Sequence, residues 1–585
     1  MSKVHVLSPE VIARIAAGEV VDRPASVVKE LMENSLDAGA ERVDVELRSG
    51  GKDLILVRDN GSGVERADLE CLFARHATSK VRSSEDLETL TSFGFRGEAL
   101  YSIAAVSDVR MRTATAESSD AWEICQKGGE RVSLMPAART GQGTELRVED
   151  IFFNTPARKK FLRADSTELD QVIHAFLPCA LFYYGCSFTL TNNGRVLYDL
   201  KPAASRADRA AAALNLDLPY ILEAGEDVPG DNVRLQLVLG DINIQRPRRD
   251  LQYVFVNGRP VQHKGIAFQV NDVYRLIMPQ GVHPFFMIFL DVPPEDVDVN
   301  IHPQKREVRL RQEGRVNSIL RSAVERALMA KSGARQFAPS QDEPVLLPAD
   351  QGISADRILF HSRQSGGFSG ARESLGIPRP LAVPEFSQER LFSSPQEGLK
   401  ERLARGRLIG TFMCKYHLFE ESDSLFLVDQ HAAQERIIFE RIMSQVNSGR
   451  VEVQRLLAPL AVRLTAVEML AWERLHGLLD QLGFETALIG KDAVAVSSHP
   501  LLLSAPENVL RQLLADEGQL KADTESVARR ACRASVMSGD RMQAVAAENQ
   551  LRELLACADS MTCPHGRPVF IEMKADMLDR QFFRL

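Results

Sequence analysis

Hydrophobic and polar positions along the chain change period several times, and the changes mark its elements. Over residues 42–47, Val43, Val45 and Leu47 alternate with polar residues. A second apolar run follows at residues 54–57, after Ser49, Gly50 and Gly51. Alternation, a glycine-rich break and a second run predict a β-hairpin. The stretch before it, VVKELMENSLDAGA at residues 27–40, reads as a helix that places Glu30, Asn34 and Asp37 at i, i+4 and i+7 on one face. Glycines at 94 and 97 open a further helix running through Ile103 and Val106, and residues 145–148 form a strand after Gly141-Gln142-Gly143-Thr144. Farther on, residues 233–239, 253–257 and 284–292 read as strands and residues 266–276 as a helix. Ser8-Pro9-Glu10 caps a first helix near the start. From Ser332 to about Arg402 the composition turns to Ser, Gly, Pro and Gln with no sustained period, which predicts a disordered linker. Beyond it, residues 425–428 form a strand that runs into a helix through Ile442, and a helical insert carries Trp472, Leu475 and Leu479.

Several of these elements carry candidate chemistry. On the first helix face a carboxylate stands one turn from an amide. Glu30 can orient or deprotonate a water, and the Asn34 amide oxygen can complete the oxygen shell of a magnesium ion. The hairpin's second strand delivers Asp59 to a loop where Gly61 and Gly63 let backbone approach a ligand. An acid at such a strand end can accept from the exocyclic amine of adenine. N–H groups at the helix start after Gly97 suit phosphate. No GxxxxGK[ST] loop occurs, so a P-loop reading fails. In the last third, His431 and Glu435 stand one helical turn apart, and Asp429 at the strand end reads by itself as a helix N-cap. Cys563 and His565 lie close enough in sequence to suit zinc or a similar ion, whereas Cys532 by itself reads as a buried core thiol.

The four N-terminal pieces, ExxxNxxDA, DNGSG, GFRGEAL and GQGT in that order, resemble the motifs of the gyrase, heat-shock chaperone, histidine kinase and MutL ATPases. IAAGEVVDRPASVVKELMENSLDAGA, ARHATSK and IFFNTPARKKFL resemble the MutL-type mismatch-repair family in particular. That resemblance implies an α/β (α+β) architecture: an ATPase domain over residues 1–200, a transducer domain over 201–331, the linker over 332–402, and a C-terminal dimerisation and endonuclease domain over 403–585. It implies that Glu30 serves ATP hydrolysis. Asn34, with magnesium, joins Ala38, Asp59, Gly61, Gly63, Thr78, Phe95, Arg96, Gly97, Glu98, Ala99, Leu100 and Thr144 around ATP. Lys305, in a stretch similar to the family's VNVHP-x-K motif, would reach the γ-phosphate, and residues 64–91 would form a mobile lid. His76 within that lid reads as a hydrogen-bonded or packing histidine.

DQHAAQERIIFE matches the DQHA-x2-E-x4-E motif of nuclease-bearing members through Glu440, and ACRASV and CPHGRP look like their remaining site motifs. The resemblance thus makes Asp429, His431 and Glu435 endonuclease residues, with His431, Glu435, Cys532, Cys563 and His565 holding zinc, manganese or both. Arg158, Lys159 and Lys160, around Phe161, would meet DNA phosphates, and Arg259 would extend that surface. Gln454, Leu457 and Pro459 in QRLLAP resemble a motif for the replicative sliding clamp. An ordinary core strand is the alternative reading of that stretch. The implied partners are DNA, a second copy of the chain, a MutS-type mismatch sensor, the sliding clamp and a repair helicase, with no membrane.

Composition narrows this without changing it. A length of 585 residues allows three or four domains, and the formal net charge of −8 confines DNA contact to local basic grooves. No apolar run approaches the ~18–20 residues needed to cross a bilayer. Eight scattered cysteines form no disulfide framework, which points to the cytoplasm, with nucleoid association during repair. A topoisomerase sharing the ATP fold would need a cleavage-domain tyrosine, and only Tyr416 lies in the later region outside any such context. A chaperone has no use for DQHAAQE with CPHGRP, and a C-terminal lobe that only dimerises is the third alternative.

Overall fold

A computed structural model describes residues 20–78, 97–228, 232–275, 277–278, 281–298, 308–332, 396–515, 523–535 and 542–581. The first capped helix, the segment from residue 79 to Arg96, Lys305 and most of the 332–402 stretch lie outside the described residues.

Helix α1, Pro24–Asp37, starts with proline in its first turn, where the missing N–H costs no hydrogen bond. It buries Val27, Val28, Leu31, Met32 and Leu36 against the first sheet. The predicted hairpin is β1, Arg42–Arg48, paired antiparallel with β2, Leu54–Asp59, in a register that sets Val45 opposite Val57. Helix α2, Ala99–Ala105, then leads into β3 (Asp108–Ala114), β4 (Ala121–Lys127), β5 (Glu130–Ala137) and β6 (Gly143–Glu149). After a short helix α3, Pro156–Phe161, and a long α4, Asp165–Phe182, come β7 (Ser187–Asn192) and β8 (Arg195–Leu200). These strands form one sheet in the order β5-β4-β3-β6-β2-β1-β7-β8, and α4 packs beside α1 on its buried face. Alternate positions of β1 point inward (Val43, Val45, Leu47), so the period-two pattern is the burial pattern.

Helix α5, Arg206–Leu214, is capped by Ser205 and stopped by Asn215 in the left-handed region. It leads to a second sheet built from β9 (Ile221–Val228), β10 (Val233–Gly240), the short β11 (Gln245–Arg246), β12 (Gln252–Val256), β13 (Arg259–Val261), helix α6 (Lys264–Tyr274), the short β14 (His283–Pro284) and β15 (Phe286–Asp291). Its main layer runs β13-β12-β15-β10-β9, while β11 and β14 pair separately. The short pair β16 (Val297–Asp298) and β17 (Arg309–Leu310) precedes helix α7, Glu313–Ser332, which packs on α6. The strands and helix expected here appear, with ends moved by a few residues.

The last lobe begins with α8, Gln396–Arg405. A sheet of β18 (Arg407–Phe412), β19 (Tyr416–Glu421), β20 (Ser424–Asp429) and a late β24 (Phe570–Lys574) follows. Between β20 and β24 lie α9 (Gln430–Asn447), β21 (Val453–Arg463), α10 (Ala466–Gln481), β22 (Glu485–Leu488), β23 (Ala493–Pro500), α11 (Pro506–Ala515), α12 (Thr524–Ser535) and α13 (Ala544–Ala556). Strand β21 pairs with β23 but loses register between Arg455 and Leu460. The chain is thus a mixed α/β protein throughout. No described helix is long and apolar enough to cross a membrane.

Candidate functional site

Glu30, Asn34 and Asp37 share one half-buried face of α1, as the spacing predicts. Asp59 closes β2 opposite them. Its Oδ1 accepts from the Gly61 amide at 3.0 Å and the Thr144 amide at 3.1 Å, and its Oδ2 accepts from the Ser35 hydroxyl at 2.8 Å. One carboxylate therefore joins α1, the β2 loop and the start of β6. Burial raises the Asp59 pKa above the usual range, with these donors opposing it. Glycine is required where the backbone closes on the site. A Cβ at Gly143, where φ is +121°, would land on the Asp59 carbonyl, and one at Gly97, where φ is +60°, on that of Ala77. Ala38 accepts from the Ser62 amide at 2.9 Å, which folds the Gly61–Gly63 loop over the end of α1. Thr144 Oγ1 lies 3.2 Å from Thr113 Oγ1, beside the Val64 amide that Thr113 accepts.

Glu98 stands just before α2 and pairs with His76 Nδ1 at 3.4 Å and Arg75 Nε at 3.9 Å. His76 is thus an exposed, carboxylate-paired residue. Ala99 and Leu100 open α2, and Thr78 is exposed. Phe95, Arg96 and Lys305 lie outside the described residues. Sequence reasoning passed over Glu33, on α1 beside the candidate face. Burial pushes its carboxyl up to about 7; Lys29 at 3.6 Å pulls it down, and Glu30 and Asp37 push it further up. Arg259 faces the same helix: burial lowers its pKa, and the charges of Glu33 and Asp37 oppose that. In the basic turn of α3, Lys159, Lys160 and Phe161 are exposed and Arg158 is half-buried.

In the last lobe, Asp429 ends β20 and caps α9, accepting from the Ala432 amide at 2.9 Å. One and a half turns into α9, Glu435 is 5% exposed and lies between two imidazoles. His431 Nε2 is 3.2 Å from its Oε1 and His565 Nδ1 is 3.3 Å from its Oε2. Burial pushes the Glu435 carboxyl up, but the two imidazoles outweigh it and hold the pKa down at about 2. Donor atoms of Glu435, Cys563 and His565 all lie within 4.8 Å of one another. His431 Nδ1 and His565 Nε2 are buried without a hydrogen-bond partner. A buried carboxylate, a thiol and imidazoles with unspent nitrogens are the donor set that zinc takes, so these residues fit a borderline divalent ion.

Cys532 is buried on α12, within the field of Glu435, but stands outside this triad; burial, and then the Glu435 charge, push its thiol pKa well up. The triad depends on α9 holding the 557–568 loop, a link that sequence gave no sign of. Glu440 accepts from the amides of Ala558 at 2.7 Å and Asp559 at 3.0 Å, and Arg436 donates to the Thr562 carbonyl at 2.6 Å and to Asp559 at 2.9 Å. Glu440 thus faces the loop rather than the ligand cluster. Gln454, Leu457 and Pro459 are exposed on the irregular part of β21, so the QRLLAP stretch is no core strand.

Fold and site together define an ATPase of the "Histidine kinase-, DNA gyrase B-, and HSP90-like" class, the family model that matches residues 22–147. Two further family models match: "DNA mismatch repair protein, C-terminal domain" at residues 223–329, and "MutL C terminal dimerisation domain" at 409–542. Curated proteins called DNA mismatch repair protein MutL are similar along the whole chain. That of Pseudomonas entomophila is 36% identical and that of Syntrophotalea carbinolica 35%, each alignment covering 100% of this chain and 99% of the relative. The Aquifex aeolicus MutL ATPase domain complexed with ADP is 29% identical over 47% of this chain and 94% of its own, with a TM-score of 0.37. The chain belongs to the MutL family of DNA mismatch repair proteins. It is an ATPase with a C-terminal dimerisation domain.

Proposed function

We propose that this MutL-family ATPase is also a metal-dependent endonuclease that nicks DNA in mismatch repair. The convergence of Glu435, Cys563 and His565 within 4.8 Å, with His431 against the same carboxylate, carries the proposal. A bound zinc or manganese ion would supply an activated water and neutralise charge on the scissile phosphate. Glu435, Cys563, His565 and His431 would hold it, and Asp429 at the mouth of α9 would orient the attacking water. Glu440 and Arg436 act indirectly, by fixing the loop that brings Cys563 and His565 to the helix.

In the N-terminal lobe, Glu30 positions the water that attacks the γ-phosphate, Asn34 contributes to the magnesium shell and Asp59 accepts from the adenine amine. Ala38, Gly61, Gly63 and Thr144 shape the base pocket; Thr78, Phe95, Arg96, Gly97, Glu98, Ala99, Leu100 and Lys305 serve the phosphates. Magnesium bound with ATP would neutralise phosphate charge. Lys159 and Lys160, with Arg158, meet DNA phosphates without reading sequence. Gln454, Leu457 and Pro459 present an extended segment to a sliding clamp. A MutS-type sensor and a repair helicase complete the partners, in the cytoplasm. The proposed domains cover residues 1–200, 201–331 and 403–585 with the linker at 332–402 between them, and helix α8 reaches back from the last domain to Gln396.

Metal content tests the C-terminal site directly. The purified protein, dialysed against zinc or manganese, should retain metal near one ion per chain or above. Cys563→Ser and Glu435→Gln should each lose most of it. Equal retention by both variants would sink the site.

A further inference from the structure

Helix α10 does not pack only within its own lobe. Its capping box joins Thr465 and Glu468: the Thr465 amide donates to Glu468 Oε2 at 2.8 Å. Glu468 Oε1 then accepts from Arg246 Nη2, in β11 of the separate β11–β14 pair, at 2.7 Å. Arg246 also donates to Asp250 at 3.0 Å, and Arg511 of α11 approaches Glu468 Oε1 at 3.5 Å. The contact is closed to water: Glu468 is 3% and Arg246 4% exposed.

Further polar and apolar contacts surround it. Asn215 Nδ2 donates to the carbonyls of Leu464 at 3.0 Å and Asp492 at 3.1 Å. Arg463 pairs with Asp217, and Arg195 of β8 pairs with Glu473 at 2.7 Å. Arg248 donates to the Ala515 carbonyl. Ala466, Val467 and Leu470 pack on the apolar core of the first lobe.

We propose that the two N-terminal domains together carry a docking surface for this chain's own C-terminal lobe, with Glu468 of α10 seated in a socket formed by Arg246 and Asp250. The surface draws Arg195 from the first sheet, Asn215 and Asp217 from the link after α5, and Arg246 from the β11–β14 pair, so the docked lobe bridges both N-terminal domains. A buried ion pair adds little net stability, yet removing one partner leaves the other charge stranded. The pair therefore fixes where the lobes meet more than how tightly. Three small or medium apolar residues and a mostly polar rim suit a contact that opens and closes.

The test is cross-linking of the full-length protein carrying Arg195→Cys and Glu473→Cys, an exposed pair whose own contribution is small. A short bis-maleimide should join residues 195 and 473 within one chain, identified by mass spectrometry of the linked peptide against the native cysteines. Adding Arg246→Glu should cut the yield at least fivefold. Asn215→Asp should do likewise, because it replaces the donor to two carbonyls while keeping a residue that tolerates the left-handed cap. Circular dichroism must match between the variants, and the Asn215 variant decides if the Arg246 one misfolds. Unchanged yield in a folded variant overturns the proposal. So does the absence of a 195–473 link, or its appearance only between two differently tagged chains.

Discussion

Asp59→Asn separates nucleotide recognition from the scaffold that carries it. In the wild type, Oδ1 holds the Gly61 and Thr144 amides and Oδ2 holds the Ser35 hydroxyl. An asparagine keeps its oxygen on the two amides, since its nitrogen there would face two donors. That nitrogen then lies against Ser35, whose hydroxyl can turn to accept. The loop survives, but the edge offered to adenine now presents a donor to a donor. One lost hydrogen bond and one donor clash cost about 2–3 kcal/mol, which is about 30–150-fold in Kd. Asp59→Ala instead strips the acceptor from two backbone amides. At about 1–3 kcal/mol for each stranded donor, it should lower stability as well as affinity. Calorimetric titration with a non-hydrolysable ATP analogue, alongside thermal melting of each variant, reads both quantities. ATP affinity of Asp59→Asn within about twofold of wild type would refute the adenine role. Equal destabilisation by both variants would refute the hydrogen-bond account of the loop.

Glu30→Ala should abolish ATP turnover yet leave ATP binding within a few-fold, because a water-orienting carboxylate acts mainly in the transition state; steady-state hydrolysis at wild-type rate removes that assignment. Burial carries Glu33 from the ordinary 4.5 to about 7, so its neutral form is favoured on folding. Its contribution to stability is then full below about pH 4.5 and is lost as the pH rises through about 7. Denaturant melts should show wild type weakening across that window more than Glu33→Gln; parallel curves contradict the burial argument. Replacing Gln454 and Leu457 by alanine should remove clamp-stimulated activity and leave basal activity unchanged. Full stimulation of the folded variant retires the clamp motif.

Local sequence carried a good deal of this. The face of α1 with Glu30 and Asn34, the β1–β2 hairpin and the Asp429 cap all rest on spacing within a few residues, which one helix or turn enforces. What stayed hidden depends on partners far away in the chain. Strand β21 has an apolar run, but its outward turn follows from a register shift against β23, which no local pattern encodes. Glu440 sits in a family motif beside the proposed metal ligands, yet it accepts from amides more than a hundred residues later. Cys532 and Cys563 are equally buried thiols in composition; only the Cys563–Gly566 turn, tied to α9 by Arg436, brings Cys563 into the triad. The Arg246–Glu468 pair joins residues separated by the whole 332–402 stretch.

The most direct measurement is conversion of covalently closed plasmid to the nicked form by the purified protein with manganese. Wild type should nick. Asp429→Asn should not, while its ATP hydrolysis and dimerisation stay at wild-type levels. Nicking by Asp429→Asn at the wild-type rate, or no nicking by wild type under any manganese concentration, would contradict the endonuclease assignment.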